Sequence, residues 1–168
     1  MAEALQEAIA GKQAVLEKMA DHPVVKAVTA WNTDALVDAL FDRGELSITV
    51  SPENIVEAVA AMKDAGFNAY EDMTAVDWLP SEPRFQLTYH ILSHSFKQRI
   101  RIKAWVSGDD PAIESITSVF PGANFYEREV FDLFGIRFEG HPNLRRIMMP
   151  EEWVGHPLRK DYPVEGYR

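Results

Sequence analysis

The chain has 168 residues, a formal net charge of −9 and 46% apolar residues. That is enough for one compact domain with a real core, and the acidic balance argues against nucleic acid as a partner. There is no cysteine, which excludes disulfides, thiolate zinc sites, a cysteine nucleophile and iron–sulfur clusters ligated by this chain. No apolar run approaches the roughly 20 residues that span a bilayer. The opening 1-MAEALQEAIAGKQ carries Glu3 and Glu7 and lacks the basic-then-apolar order of a signal peptide. The chain reads as soluble and unexported, reaching a membrane only through another protein.

In chain order, Leu5, Ile9, Leu16 and Met19 recur at helical spacing and predict a helix over 2–20, broken at His22-Pro23. The run 24-VVKAVTAW-31 predicts a strand. Thr33 can cap a short helix from Asp34 to Asp42 that stops at Gly44. Leu46 to Val50 predicts a strand. Ser51-Pro52 starts a helix with Ile55, Val59 and Met62 on its apolar stripe, closed by Gly66. A strand follows over 67–79. Alternating Phe85, Leu87, Tyr89 and Ile91, then Ile100, Ile102, Ala104 and Val106, predict a hairpin with Arg99, Arg101 and Lys103 on a wet face. Asp110-Pro111 begins another helix with Ile113, Ile116 and Phe120 inward. The order predicts an α+β domain over 1–136, a mostly antiparallel sheet with helices packed on one face. Residues 137–168 form an extended proline-rich C-terminal tail.

The segment 124-NFYEREVFDLF-134 predicts a helix that stops at Gly135. Asn124 suits the N-cap, and Glu127 three residues on completes a capping box. Tyr126, Val130, Leu133 and Phe134 make one apolar stripe, widened by Phe125 and Phe131. Glu127 and Glu129 fall inside the apolar surface, while Arg128 and Asp132 share a polar wedge. A helix apolar nearly all round is covered on more than one side. A buried carboxylate there needs a partner, and the tail arginines are the local candidates. The bland alternative is that Glu127 caps the helix and Glu129 bends to water.

The tail differs from the body. Residues 137–168 carry a net charge of +1 against −10 for the first 136. Gly-His-Pro occurs at 140–142 and 155–157, each followed by an arginine, Arg145 and Arg159. His141 and His156, with Glu151, Glu152 or Asp161, could bind a metal, but their spacing matches no zinc pattern. Arg145-Arg146 and Arg159-Lys160 could hold a phosphate, but no glycine-rich loop leads into a helix. A free-standing enzyme using His141, His156 and Asp161 has no motif behind it. A partner surface fits best. Prolines 142, 150, 157 and 163 forbid long helices. Leu144, Ile147, Met148, Met149, Trp153, Leu158 and Tyr162 are of types that fill interface cores.

The run 127-EREVFDLFGIRFEGHPNLRRIMMPEEWVGHPLRKDYP-163 closely resembles the signature of the 30 kDa subunit family of proton-pumping NADH:quinone oxidoreductase, respiratory complex I. Phe125 and Asn143 are small departures, standing where many members have tryptophan and aspartate. The resemblance implies a non-catalytic scaffold in the hydrophilic arm, beside the quinone-pocket subunit and iron–sulfur subunits. It implies no cofactor on this chain, with FMN and iron–sulfur clusters in other subunits, and a peripheral place on the cytoplasmic side of the inner membrane. The interface it implies comprises Glu127, Arg128, Glu129, Asp132, His141, Leu144, Arg145, Arg146, Met149, Trp153, His156, Arg159, Lys160, Asp161 and Tyr162. The chain ends at Arg168, so no fused quinone-pocket subunit is expected. The same signature fits the equivalent subunit of a membrane-bound hydrogenase or another relative that does not use NADH.

Overall fold

The computed structural model describes residues 13–166. Residues 13–18 are helical and 19–20 form a turn, while residues 2–12 of the helix expected over 2–20 lie outside the described residues. That helix stops at residue 18, ahead of His22-Pro23, which instead starts another, α1, Pro23–Trp31. The strand expected over 24–31 is therefore a helix. The His22 imidazole accepts a hydrogen bond from the Val24 amide, Pro23 presets the first turn, and Val24, Val25 and Val28 bury one face. Burial on a helical face outweighs the β preference of valine.

The helix expected from Asp34 to Asp42 is also corrected. A 3-10 turn, Thr33–Ala35, leads into strand β1, Leu36–Asp42, which pairs antiparallel with β2, Glu45–Val50. The reason is the turn between them. Arg43 and Gly44 both have positive φ, 50° and 86°, the geometry of a two-residue hairpin turn matched to strand twist. After β2 the chain makes a 3-10 turn, Pro52–Asn54, and enters α2, Ile55–Asp64, whose Ile55, Val59 and Met62 are buried as expected.

Strands β3 (Ala69–Asp77), β4 (Phe85–Ser93) and β5 (Gln98–Val106) follow. The five strands lie in the order β1-β2-β5-β4-β3. All pairs are antiparallel except β2 with β5. One face of the sheet carries Ile48, Leu87, Tyr89, Ile100 and Ile102 into a single core with the helices. The other face carries Arg99 and Arg101 on Glu45, and His90 on Asp72.

The helix expected after Asp110-Pro111 is absent. Instead a short strand β6, Ala112–Glu114, pairs parallel with β7, Arg137–Glu139, and a 3-10 turn spans Ile116–Ser118. Ile113, Ile116 and Phe120 are nonetheless inward, as expected. Between them α3, Ala123–Phe134, lies against β3. Its N-cap is Gly122, not Asn124, and Glu127 does not reach back to form a capping box. No helix among the described residues is long and apolar enough to cross a membrane.

Ile102 is fully buried on β5, between β2 and β4. Replacing it with alanine is expected to lower stability by about 2–5 kcal/mol. The check is denaturant unfolding, with a lower midpoint and an unchanged slope.

Candidate functional site

Two carboxylates of α3, Glu127 and Asp132, are fully buried. Five residues apart, they project about 140° from each other, so each meets a different part of the molecule.

Asp132 holds the tail. Its Oδ2 accepts the backbone amides of Ile147, Met148 and Met149 at 3.0, 2.7 and 2.8 Å. Its Oδ1 accepts Arg146 Nη1 at 2.6 Å. Three successive amides wrapped on one oxygen form an anion nest. Burial alone would raise this carboxyl, but the three amides and Arg146 outweigh it and hold it below its ordinary range. Around this centre the remaining groups pair. Arg146 Nη2 donates to Gly155 O at 3.0 Å, and Arg128 donates to the carbonyls of Arg145 and Arg146 at 3.2 and 3.3 Å. His156 Nδ1 lies 2.8 Å from Asp132 O.

The helix end is shaped for the second Gly-His-Pro turn. Gly135 has φ +76°, and a Cβ there would sit 2.7 Å from the His156 ring. Both conformation and space therefore require glycine. The Leu158 amide then donates to Leu133 O at 3.0 Å, satisfying a carbonyl that the helix end leaves open.

A second clamp lies on the sheet. Arg84 makes a two-pronged bond to Asp77, at 2.8 and 2.6 Å, with both side chains buried. Asp77 Oδ2 also accepts the Lys160 amide at 2.8 Å, and Arg84 Nη1 donates to Asp161 Oδ2 at 2.9 Å. Arg159 bonds the same Asp161. Arg84 and Arg159 both lie over the Phe85 ring. Arg84 first, then the amides of Lys160 and Leu79, bring the Asp77 carboxyl down to about 2. Arg84 and Arg159 lower Asp161 as well.

Glu127 faces the other way. Its Oε2 accepts Ser115 Oγ at 2.6 Å and its Oε1 accepts the Ile116 amide at 2.8 Å. Burial pushes its carboxyl up to about 7 against these bonds. His141 of the first Gly-His-Pro turn stands 3.9 Å away.

The structure brings most of the sequence-marked residues together, and it does so within the chain. Arg128, Asp132, Arg146, His156, Arg159, Lys160 and Asp161 bind tail to body or tail to tail. Asp132, on the polar wedge of the helix, is fully buried because the 145–149 loop covers it. Leu144 packs on the core, and Met149 is half-buried. The Tyr162 hydroxyl donates to Val154 O at 3.4 Å. Glu129, Arg145 and Trp153 face solvent. Among the described residues no group of three or more His, Cys, Asp or Glu could hold a metal ion. Asp77, Arg84 and Ser115 carry no local motif that marks them. A signal existed for one of them: Asp77 continues the inward series Met73, Ala75 on β3, and a carboxylate at such a position needs a partner.

With its polar atoms engaged inside, the tail turns apolar side chains outward. Met148, Val154 and Leu158 are 61%, 64% and 51% exposed, beside Ile147 and Trp153 at 39% each.

This architecture has solved counterparts. A trypsin-resistant fragment of Nqo5 superposes with a TM-score of 0.64 at 30% identity, covering 73% of this chain and 99% of that one. A chain of the membrane-bound sulfane sulfur reductase, an archaeal respiratory membrane complex, superposes with a TM-score of 0.73 at 27% identity, covering 84% of each. The fold class is thus the α+β fold of Nqo5. More particularly, the chain belongs to the family described as respiratory-chain NADH dehydrogenase, 30 Kd subunit, whose sequence profile matches residues 48–168. Among its relatives, the C subunit of NADH-quinone oxidoreductase from Citrifermentans bemidjiense is 48% identical, over 79% of this chain and 83% of that protein. Its counterpart from Roseiflexus castenholzii is 47% identical, over 86% and 85%. The chain is thus a component of a membrane-associated respiratory complex of the NADH:quinone oxidoreductase type.

Asp132→Asn sets an amide donor against either Arg146 or the three loop amides. It is expected to weaken the loop by at least about 2 kcal/mol, the worth of a charge-assisted hydrogen bond. Amide exchange at Ile147, Met148 and Met149 then speeds more than tenfold while the sheet stays protected. Asp77, Asp132 and Asp161 all have lowered carboxyls. Their stabilisation is complete above the unfolded carboxylate range, about pH 4, and is lost as pH falls through the folded values. Acid titration toward pH 2 is therefore expected to loosen residues 145–161 before the sheet, as read by hydrogen exchange corrected for intrinsic rates.

Proposed function

We propose that this chain is a non-catalytic structural subunit of the peripheral arm of a proton-translocating NADH:quinone oxidoreductase, packed against the quinone-pocket subunit. The observation that carries this reading is the division of labour in the tail. Arg146, Asp161 and the amides of Ile147, Met148, Met149 and Lys160 are held by Asp132, Asp77 and Arg84, which fixes its shape. Met148, Trp153, Val154 and Leu158 are then exposed apolar side chains on a tail held in place. A preorganised tail docks at a smaller ordering cost than a loose one, and methionine and tryptophan are enriched at interface cores.

In this reading the electron carriers, flavin and iron–sulfur clusters, belong to other subunits. The absence of cysteine supports that for thiolate-held clusters. Neighbouring iron–sulfur subunits are further partners, and the chain meets the membrane, on its cytoplasmic side, only through the complex. A second reading, the equivalent subunit of a complex that does not use NADH, is favoured by one observation. The likeness to a chain of the sulfane sulfur reductase extends over 84% of both chains.

The test is purification of tagged chain from its native cells in mild detergent, with mass spectrometry of the co-purifying subunits. The first reading expects flavin, iron–sulfur and quinone-pocket subunits, and the second expects a different electron-input set. A chain recovered alone would sink both. Trp153→Asp with Val154→Asp is expected to leave the isolated chain folded and to weaken recovery of the partners by tenfold or more, a hot-spot loss of about 2 kcal/mol. Normal recovery would place the interface elsewhere.

A further inference from the structure

We propose that Glu127 is a buried proton-exchange site, wired to the surface through the hydroxyls of Ser115 and Thr117 and read out by His141 at the first turn of the tail. It stands apart from the partner reading, because every group involved belongs to this chain.

The geometry leaves Glu127 without a counter-charge. Its side chain has no solvent exposure. Its hydrogen-bond partners are one hydroxyl and one amide, and among the described residues His141 alone comes within ion-pair distance. That histidine is held neutral. Its Nδ1 accepts the Asn143 amide at 3.0 Å and so carries no proton. The ring proton is therefore on Nε2, which donates to Asn124 O at 3.2 Å. Burial further disfavours the imidazolium. From the sheet, Tyr70 of β3 and Tyr89 of β4 come within electrostatic reach. Burial keeps both phenols neutral, and among the described residues neither hydroxyl has a hydrogen-bond partner. Of the charges nearby, Arg128 acts on His141 and Asp72 on Tyr70. A buried carboxylate in such surroundings takes up a proton.

The proton has a route. Ser115 Oγ lies 2.6 Å from Glu127 Oε2 and 2.7 Å from Thr117 Oγ1. Ser115 is buried and Thr117 is partly exposed. The chain of hydroxyls works in both directions. With Glu127 ionised, Thr117 donates to Ser115 and Ser115 donates to the carboxylate. With Glu127 protonated, each donor turns round. Uptake moves one proton from water to Thr117, one from Thr117 to Ser115 and one from Ser115 to Oε2. Each hydroxyl ends with a single hydrogen.

The charge has a reader. An ionised Oε2 attracts the His141 Nε2–H away from Asn124 O, and the ring movement takes Nδ1 from the Asn143 amide. Release of the proton therefore loosens the turn at 140–143, where the tail leaves the body. The sign follows from the raised carboxyl. Its stabilisation is complete below the ordinary value of 4.5 and is lost as pH rises through about 7.

The experiment is NMR of the full chain with carboxyl-labelled glutamate, titrated across neutral pH. One glutamate is expected to titrate near neutrality and to vanish in E127Q. The Asn143 amide is expected to exchange faster above the same midpoint, by at least tenfold after correction for intrinsic rates. If E127Q does not fold, S115A supplies the assignment. It removes a donor to the ionised form, so the neutral-range midpoint moves up. The proposal is overturned if every glutamate titrates in the ordinary carboxylate range. It is equally overturned if the neutral signal survives E127Q, if S115A leaves it in place, or if Asn143 exchange ignores it.

Discussion

The bond between the Asp132 carboxylate and the 146–149 loop organises the tail of this molecule. A stretch holding four prolines between 142 and 163 cannot satisfy its amides in helix or sheet. Asp132 takes three of those amides on one oxygen and the Arg146 guanidinium on the other. That single anion converts an irregular segment into a fixed surface. It also places Gly155 on Arg146 and His156 on the end of α3, so that the second turn follows from the first.

The Asp77–Arg84 pair performs the same task one layer away. A buried ion pair is weak evidence of stability on its own. Here each member bonds the tail as well, through the Lys160 amide and Asp161. The sheet edge and the helix thereby hold the tail at two separated points, and the stretch between them, including Leu158, is pinned with apolar side chains outward.

Glu127 and Asp132 show how surroundings set the behaviour of identical chemistry. Both are fully buried on one helix. Asp132 meets three amides and a guanidinium and stays ionised. Glu127 meets one amide, one hydroxyl and a neutral imidazole, and its carboxyl rises toward 7. Supply of donors and positive charge, not burial, separates a clamp from a titrating group.

The sequence by itself determined the periodic parts. The alternation in β4 and β5, the stripe of α2 and the stop at Gly135 were legible because each rests on local geometry. So were the inward positions of Ile113, Ile116 and Phe120, even where the element type differs from the one expected. The ordered motif from Glu127 to Pro163 also marked the family. Tertiary structure decided the rest. Residues 24–31 became a helix and 36–42 a strand because long-range burial and the Arg43-Gly44 turn overrode local preference. It likewise decided that Asp132 is fully buried, since its cover comes from residues 14 to 17 positions away. Asp77 and Arg84 found the tail across 77 to 83 residues. No pattern read along the chain carries such pairings, because hydrogen bonds between distant segments exist only once the fold has brought them together.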